Sequence, residues 1–416
     1  MKKISSTFTK KLPSLSPNIL YNVWHSMRKK KIIVAPANRL MYVLLGAVGI
    51  GLYFLFFVQI AHAPIVAGQQ KKDAVYPTQY SDTHITKNAK TVDPKFKDLA
   101  IFNKESFLAS VVSSMQTNEL APETSQMEKG TWLWTPTLDL NPAYWNSLIA
   151  DAKKHGINTI YLSIDSYLDI FVMPAGPEKE EKKKAFDDIL ENFIAAAHKN
   201  SIAVDAEAGW RNWAEPGNEY KASAVIEYVL AFNATHTEKL RGLQYDIEPY
   251  LLDLYATDKK TVLRNFIDLV DKTATRLGNS GLRFSVVIPY FYDGASKETP
   301  RFFYGWNYGY TLNHLLKVLR HQPNSTILVM AYRNQSEGKD GSIDISQEEV
   351  KVADAYHTKI IVAQETGEIT PSYITFHNTS LDNLNTHIQN IQEAFEGYES
   401  YNGIAIHYIN ALMDLE

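Results

Sequence analysis

The chain contains no cysteine. No disulfide framework supports it, and a chain of 416 residues can instead rely on a core of its own. The first 39 residues contain no Asp or Glu, although they carry nine Lys and Arg, and residues 40–61 carry no charge of either sign. No G-x-G-x-x-G follows the first strand-like run, no G-x-S-x-G or phosphate-binding glycine loop occurs, and the twelve histidines show neither H-x-H nor H-x-x-x-H spacing. These absences argue against a dinucleotide fold, a nucleophile elbow, a phosphate-cradling loop and a histidine-based zinc site.

What is present divides the chain. The uncharged run over 40–61 is long enough, at about 1.5 Å per residue, to span roughly 30 Å of hydrocarbon. It reads as a single transmembrane helix. The basic flank, 1–39, predicts a cytoplasmic tail and places everything from residue 62 outside the membrane, so the expected location is the cell membrane, single-pass. A cleaved signal peptide is the alternative, since Ala61-His62-Ala63 imitates a cleavage site; the length of the run, the long leader and Pro64 weigh against it. Residues 40–416 hold 33 basic and 46 acidic residues, a net of −13, which argues against nucleic acid as a partner. Residues 62–129 are polar and poorly periodic, as a stalk or linker would be.

From residue 130 the texture becomes regular. Apolar, β-rich runs at 131–135, 158–164, 202–208, 242–248, 283–290, 326–332, 359–365 and 403–408 alternate with helical periodicity at 142–155, 182–200, 222–239, 259–277, 310–319, 347–356 and 381–398. Eight near-continuous strands with seven helices between them predict a parallel sheet covered on its outside, closed as an α/β (β/α)8 TIM barrel over 130–416. An open doubly wound sheet is the alternative.

Such a barrel places its site at the strands' C-terminal ends. The fourth strand ends in Asp246 and Glu248, which alternation puts on one face with Gln244. Two acids side by side at a strand end mark either a working site or a structural ion pair. The other strand ends add Trp132, Trp134, Asp165, Asp205, Glu207, Trp210, Trp213, Tyr290, Tyr332, Glu365 and His407, and a long aromatic loop after the fifth strand adds Trp306. Five of the seven tryptophans fall at this expected mouth. Aromatic faces beside carboxylates suit sugar rings, which stack on one and hydrogen-bond to the other. Glu248 and Glu365, on strands expected to face each other, have the composition for glycosidic bond cleavage, which needs one acid to protonate the leaving oxygen and a second group at the anomeric carbon. A divalent cation gathered by Asp205, Glu207, Asp246 and Glu248 is a weaker alternative; the reading adopted has no metal and no cofactor.

The run Arg241-Gly242-Leu243-Gln244-Tyr245-Asp246-Ile247-Glu248 resembles, in its last two acids, the D-G-x-D-x-D-x-E signature of the chitinase-like family 18 glycoside hydrolases. Arg241 and Gln244 stand where that signature has its first two acids. The resemblance implies Glu248 as general acid, Asp246 as the group orienting the substrate's acetamido function, and Tyr332, in Val329-Met330-Ala331-Tyr332, as an assisting hydroxyl. The segments Asp246-Ile247-Glu248-Pro249 and Gln364-Glu365-Thr366-Gly367 also resemble the N-E-P and E-T-G segments of the retaining barrel glycosidases. That second resemblance implies Glu365 as nucleophile.

The sequence therefore predicts a membrane-anchored glycoside hydrolase acting on a cell-surface or cell-wall polysaccharide. Glu248, Asp246, Tyr332 and Glu365 would be catalytic, and Trp132, Trp134, Asp205, Glu207, Trp210, Tyr290, Trp306 and His407 would bind substrate. A catalytically inactive glycan-binding or scaffold protein of the envelope is the rival reading.

Overall fold

The computed structural model describes residues 127–415 apart from 279, 296, 297 and 323. The expected tail, transmembrane helix and nearly all of the stalk lie outside the described residues. Among the described residues no helix is long and apolar enough to cross a membrane.

The strands are β1 (Glu128–Leu133), β2 (Thr159–Ser163), β3 (Ala203–Ala208), β4 (Gly242–Tyr245), β5 (Arg283–Pro289), β6 (Phe302–Tyr304), β7 (Asn307–Gly309), β8 (Thr326–Met330), β9 (Lys359–Glu365) and β10 (Tyr401–His407). Eight of them close a parallel barrel in the order β1-β10-β9-β8-β5-β4-β3-β2, and β6 and β7 form a separate antiparallel hairpin. The open-sheet alternative is thereby excluded. The helices are α1 (Pro142–Lys154), α2 (Tyr167–Phe171), α3 (Pro177–Lys199), α4 (Glu219–Thr235), α5 (Lys259–Leu277), α6 (Thr311–Leu319), α7 (Ser342–Asp354), α8 (Leu381–Phe395) and α9 (Ile409–Met413). Side-chain caps start several of them: Asn141 accepts from Tyr144 N–H ahead of Pro142, Asp258 from Thr261 N–H, and Ser380 from Asn383 N–H.

Alternation along the strands produces two separate cores. Outward residues such as Ile160, Val204, Leu243, Phe284, Ile327, Ile360 and Ile404 pack against the helices. Inward residues Trp132, Tyr161, Val287, Leu328, Ile361, Ala363 and Ala405 fill the barrel. Trp213, expected at the mouth, belongs to the outer core, where it meets Tyr245 edge-on at 5.8 Å.

Charge rather than hydrocarbon closes the barrel's lower end. Arg283 donates to Glu128 Oε2 at 2.5 Å and to Asp205 Oδ2 at 2.5 Å, Arg241 donates to Asp205 Oδ1 at 2.9 Å, and Tyr161 Oη donates to Glu128 Oε1 at 2.6 Å. The two guanidiniums outweigh burial and lower both carboxylic pKa values, that of Glu128 to about 2. Gly130 makes room for this cluster, since a Cβ there would lie 2.4 Å from Tyr161 Oη. Asp205, expected to bind substrate, is 0% exposed and is fully engaged here; it is a structural ion-pair partner below the site.

Removing Glu128 strands the Arg283 guanidinium in the interior. Glu128→Ala is expected to lower unfolding free energy by about 3–5 kcal/mol, read as a shift of the urea midpoint with little change in slope; an unchanged midpoint would refute the role assigned to the cluster.

Candidate active site

β4 ends at Tyr245, and the chain passes through Asp246, Ile247 and Glu248 into a short turn at Pro249–Leu251. Asp246 N–H still donates to Ala208 C=O at 3.1 Å, so the alternation of the ladder continues beyond the strand. Ile247 consequently packs in the outer core, while Asp246 and Glu248, both partly buried, take the inner side at the mouth.

Gly209, at the end of β3, lets this segment approach. Its φ is +152°, and a Cβ on it would lie 2.5 Å from the Asp246 carbonyl oxygen. Its N–H donates to Asp165 Oδ1 at 3.2 Å, which brings the β2 acid to the same place.

Four acids therefore converge from three adjacent strands, each above its ordinary range. Burial raises Asp165 to about 7 and Asp246 to about 8, with Glu248 adding to the effect at Asp246 and His407 opposing it. Burial also raises Glu248, against a hydrogen bond donated by Tyr250 and the nearby charges of His407 and Arg211. Glu207 lies lowest. It is 0% exposed, and Ser163, its neighbour across the ladder, is the one donor that reaches it. Burial, and then Asp165 and Asp246, raise its pKa well above the ordinary carboxylate range, against a hydrogen bond from Ser163. It was expected to touch substrate and instead supports the acids above it.

On the far side of the barrel His407 ends β10. Its Nδ1 lies 2.8 Å from Glu365 Oε2, and its Nε2 accepts from Trp134 Nε1 at 3.0 Å. The other oxygen of Glu365 accepts from Gly367 N–H at 2.6 Å. Both oxygens of Glu365 thus have a partner, one in the loop and one in the imidazole. Burial opposes the charged ring, but Glu365, Asp246 and Glu248 outweigh it and raise His407.

Aromatic rings surround this imidazole: Trp132 and Trp134 at 5.6 Å, Tyr408 at 5.3 Å and Tyr332 at 6.2 Å between centroids. Trp132, expected to bind substrate, is 1% exposed and donates to Gln244 Oε1 at 2.7 Å, so it forms the floor. Trp134 is partly exposed. Trp210 carries Arg211 over its ring at 5.1 Å, and Tyr290 carries Arg333 at 5.0 Å; both rings are partly exposed. Trp306 is not at the mouth. It sits at the tip of the β6–β7 hairpin, on the outer wall.

Sequence reasoning passed over Tyr250, two residues beyond Glu248, and left Gln244 without a role. Among the described residues no group of three or more His, Asp or Glu is arranged to hold a metal ion.

No protein-family model matches the chain, and no curated protein matches it. Solved structures do. The endo-β-1,4-mannanase of Thermotoga petrophila is 11% identical, with a TM-score of 0.46 over 69% of this chain and 68% of its own. The β-mannanase of the blue mussel Mytilus edulis is 12% identical, with a TM-score of 0.43 over 70% and 90%. A D-psicose 3-epimerase of Clostridium cellulolyticum is 13% identical, with a TM-score of 0.38 over 68% and 84%.

The raised acids bind more protons folded than unfolded, so their contribution to stability is full at low pH and is lost as pH climbs through about 7 for Asp165 and about 8 for Asp246. Asp246→Asn should make this decline shallower and leave the variant more stable than the parent at pH 9, by about 1–3 kcal/mol. Urea titrations at pH 5, 7 and 9 check it; equal slopes in both proteins would contradict the assignment.

Proposed function

We propose that this chain is a membrane-anchored glycoside hydrolase that cleaves a cell-surface or cell-wall polysaccharide by carboxylate general acid/base catalysis. The observation that carries this reading is the pair Asp246 and Glu248, adjoining carboxyl groups both raised above the ordinary range, at the aromatic mouth of a barrel. The anchor rests on the uncharged run at 40–61.

A carboxyl group still protonated near neutral pH can protonate a glycosidic oxygen as its bond to the anomeric carbon breaks. Glu248 takes that role, with Tyr250 holding one of its oxygens. Asp246 orients Glu248 or the substrate, Tyr332 lies in the wall beside the reacting ring, and Trp134, Trp210 and Tyr290 offer faces for stacking. In the two-carboxylate form of the reading Glu365 attacks the anomeric carbon. In the form its contacts favour, it fixes His407 opposite the acid pair. No cofactor and no nucleic acid enter the scheme. The same engagement of Glu365 favours a second reading, a glycan-binding envelope protein without turnover.

Reducing-end release by the full chain from a panel of envelope glycans separates the two. Glu248→Gln is expected to lower the rate at least about 10²-fold while binding persists. The alkaline limb of kcat/KM in the parent should lie above the ordinary Glu range of about 4.3, because activity is lost as pH rises through the raised pKa of Glu248. An undiminished rate in Glu248→Gln would remove it from the mechanism, and binding without release would establish the second reading.

A further inference from the structure

A layered stack stands at the rim of the mouth, built from the adjacent strand ends of β5, β8 and β9. Arg333, just past β8, is 6% exposed and lies between two tyrosine rings, 5.0 Å from the centroid of Tyr290 after β5 and 5.5 Å from that of Tyr373 in the loop after β9. Its guanidinium is itself fixed. Nη1 donates to Tyr332 C=O and Nη2 to Asp340 Oδ1, each at 2.7 Å. The loop that carries Tyr373 is pinned as well: Asn334 N–H donates to Tyr373 C=O at 2.8 Å and the Asn334 amide to Ser372 C=O at 2.9 Å. Ile374, the next residue, is buried in the inner core with Trp132 and Tyr332. Tyr373 itself is 44% exposed. A large ring held this firmly and still open to solvent loses little freedom when something stacks on it.

Its place in the barrel follows from the strand order. β9 is four strands from β3 in either direction around the closed ring, so Tyr373 stands across the mouth from Trp210, which follows β3. Trp210 is built in the same way, partly exposed and with the Arg211 guanidinium over its ring. The other strand ends lie between these two rings. Glu248 after β4 and Tyr332 after β8 follow one bank, and Trp134 after β1 and His407 of β10 follow the other. Because β4 adjoins β3, the acid pair lies nearer Trp210, and the longer arm runs from Glu248 to Tyr373.

We infer that Trp210 and Tyr373 are the two end subsites of a glycan track across the mouth, so that the site takes an internal segment of a polysaccharide chain and not a chain end. The inference rests on the glycan reading proposed above and deepens it. Two observations select a sugar chain as the occupant of Tyr373. The ring is continuous with the site, since the guanidinium behind it donates to Tyr332 C=O and its loop begins at Glu365, the partner of His407. The two end rings also lie at opposite rims with carboxyl groups between them, an arrangement matched by a polymer whose units offer a face for stacking and hydroxyls for hydrogen bonds all along its length.

The test measures binding by the full chain in detergent, carrying Glu248→Gln to slow turnover, with β-1,4-linked N-acetylglucosamine oligomers of graded length and solubilised peptidoglycan strands as probes. Affinity should rise with length to a plateau. Adding Tyr373→Ala should weaken the longest oligomers about 3- to 10-fold, with the loss vanishing for those too short to reach from Glu248 to the β9 rim. Tyr373→Phe, which keeps the ring, should bind as the parent does. A biotin on the reducing end of a long oligomer should leave its affinity unchanged. Binding to none of the probes removes the glycan reading and the inference together. Where they bind, an equal loss at every length makes Tyr373 a support of its loop, no loss at any length places it outside the track, and weaker binding of the biotinylated oligomer shows a socket for chain ends. Each of these three overturns the inference alone.

Discussion

Two carboxylates and two guanidiniums, buried in register below the floor of the barrel, constrain everything above them. Glu128 comes from β1, Asp205 from β3, Arg241 from the approach to β4 and Arg283 from β5, with Tyr161 of β2 completing the set. Five neighbouring segments are thereby tied at one level. A slip of one residue in any of them would turn a buried charge outward and an aliphatic side chain into the cluster. Such a network adds little net stability over a hydrocarbon plug of the same volume, because desolvation offsets the attraction. Its consequence is positional: once Asp205 is fixed, Glu207 must lie one layer up, and once Arg283 meets Asp205, Gln244, Asp246 and Glu248 rise in order beside it.

The same residue type is driven to opposite states at the two ends. Below, guanidiniums hold Glu128 and Asp205 ionised. Above, Asp165, Glu207, Asp246 and Glu248 crowd together, with Lys221 acting on Asp165 and His407 and Arg211 on the β4 acids, and burial favours the neutral forms. Acids kept from ionising destabilise the folded state at neutral and alkaline pH, and they are what acid catalysis requires. The lower network keeps the fold in register while the upper cluster departs from what stability alone would select.

The barrel was legible because period-two runs and amphipathic helices are local signals. β9 and α5 have the bounds that their periodicity predicts. The start of β1 was not legible, since Glu128-Lys129-Gly130 reads as polar linker until Arg283, 155 residues later, neutralises Glu128. The front of α7 was missed because Ser-Ile-Asp-Ile-Ser carries turn and strand formers where a helix begins. At the site, alternation alone put Asp246 and Glu248 on one face. It could not tell Asp205 from Glu207 from Asp246, three inward acids at three depths whose roles depend on which partners reach them. Trp306 shows the same limit, since aromatic composition says nothing about the direction in which a hairpin leans. The departures from the family 18 signature become physical here: Arg241 is spent on Asp205 and Gln244 on Trp132, where that signature would place further acids.

His407 ties the two halves of the mouth together. Glu365 requires a proton on its Nδ1, and the Trp134 indole N–H requires a lone pair on its Nε2, so the two contacts together describe a neutral ring. The acids Glu365, Asp246 and Glu248 pull the other way and favour a second proton. That proton has one place to go, Nε2, and there it would displace the Trp134 N–H. Charge among the carboxylates and the attitude of the partly exposed tryptophan are therefore one equilibrium. A deprotonated Asp246 or Glu248 strengthens the case for the imidazolium and loosens Trp134, while neutral acids leave the indole held. The wall that a sugar would stack on and the acid that would protonate it are in this way set by the same protons.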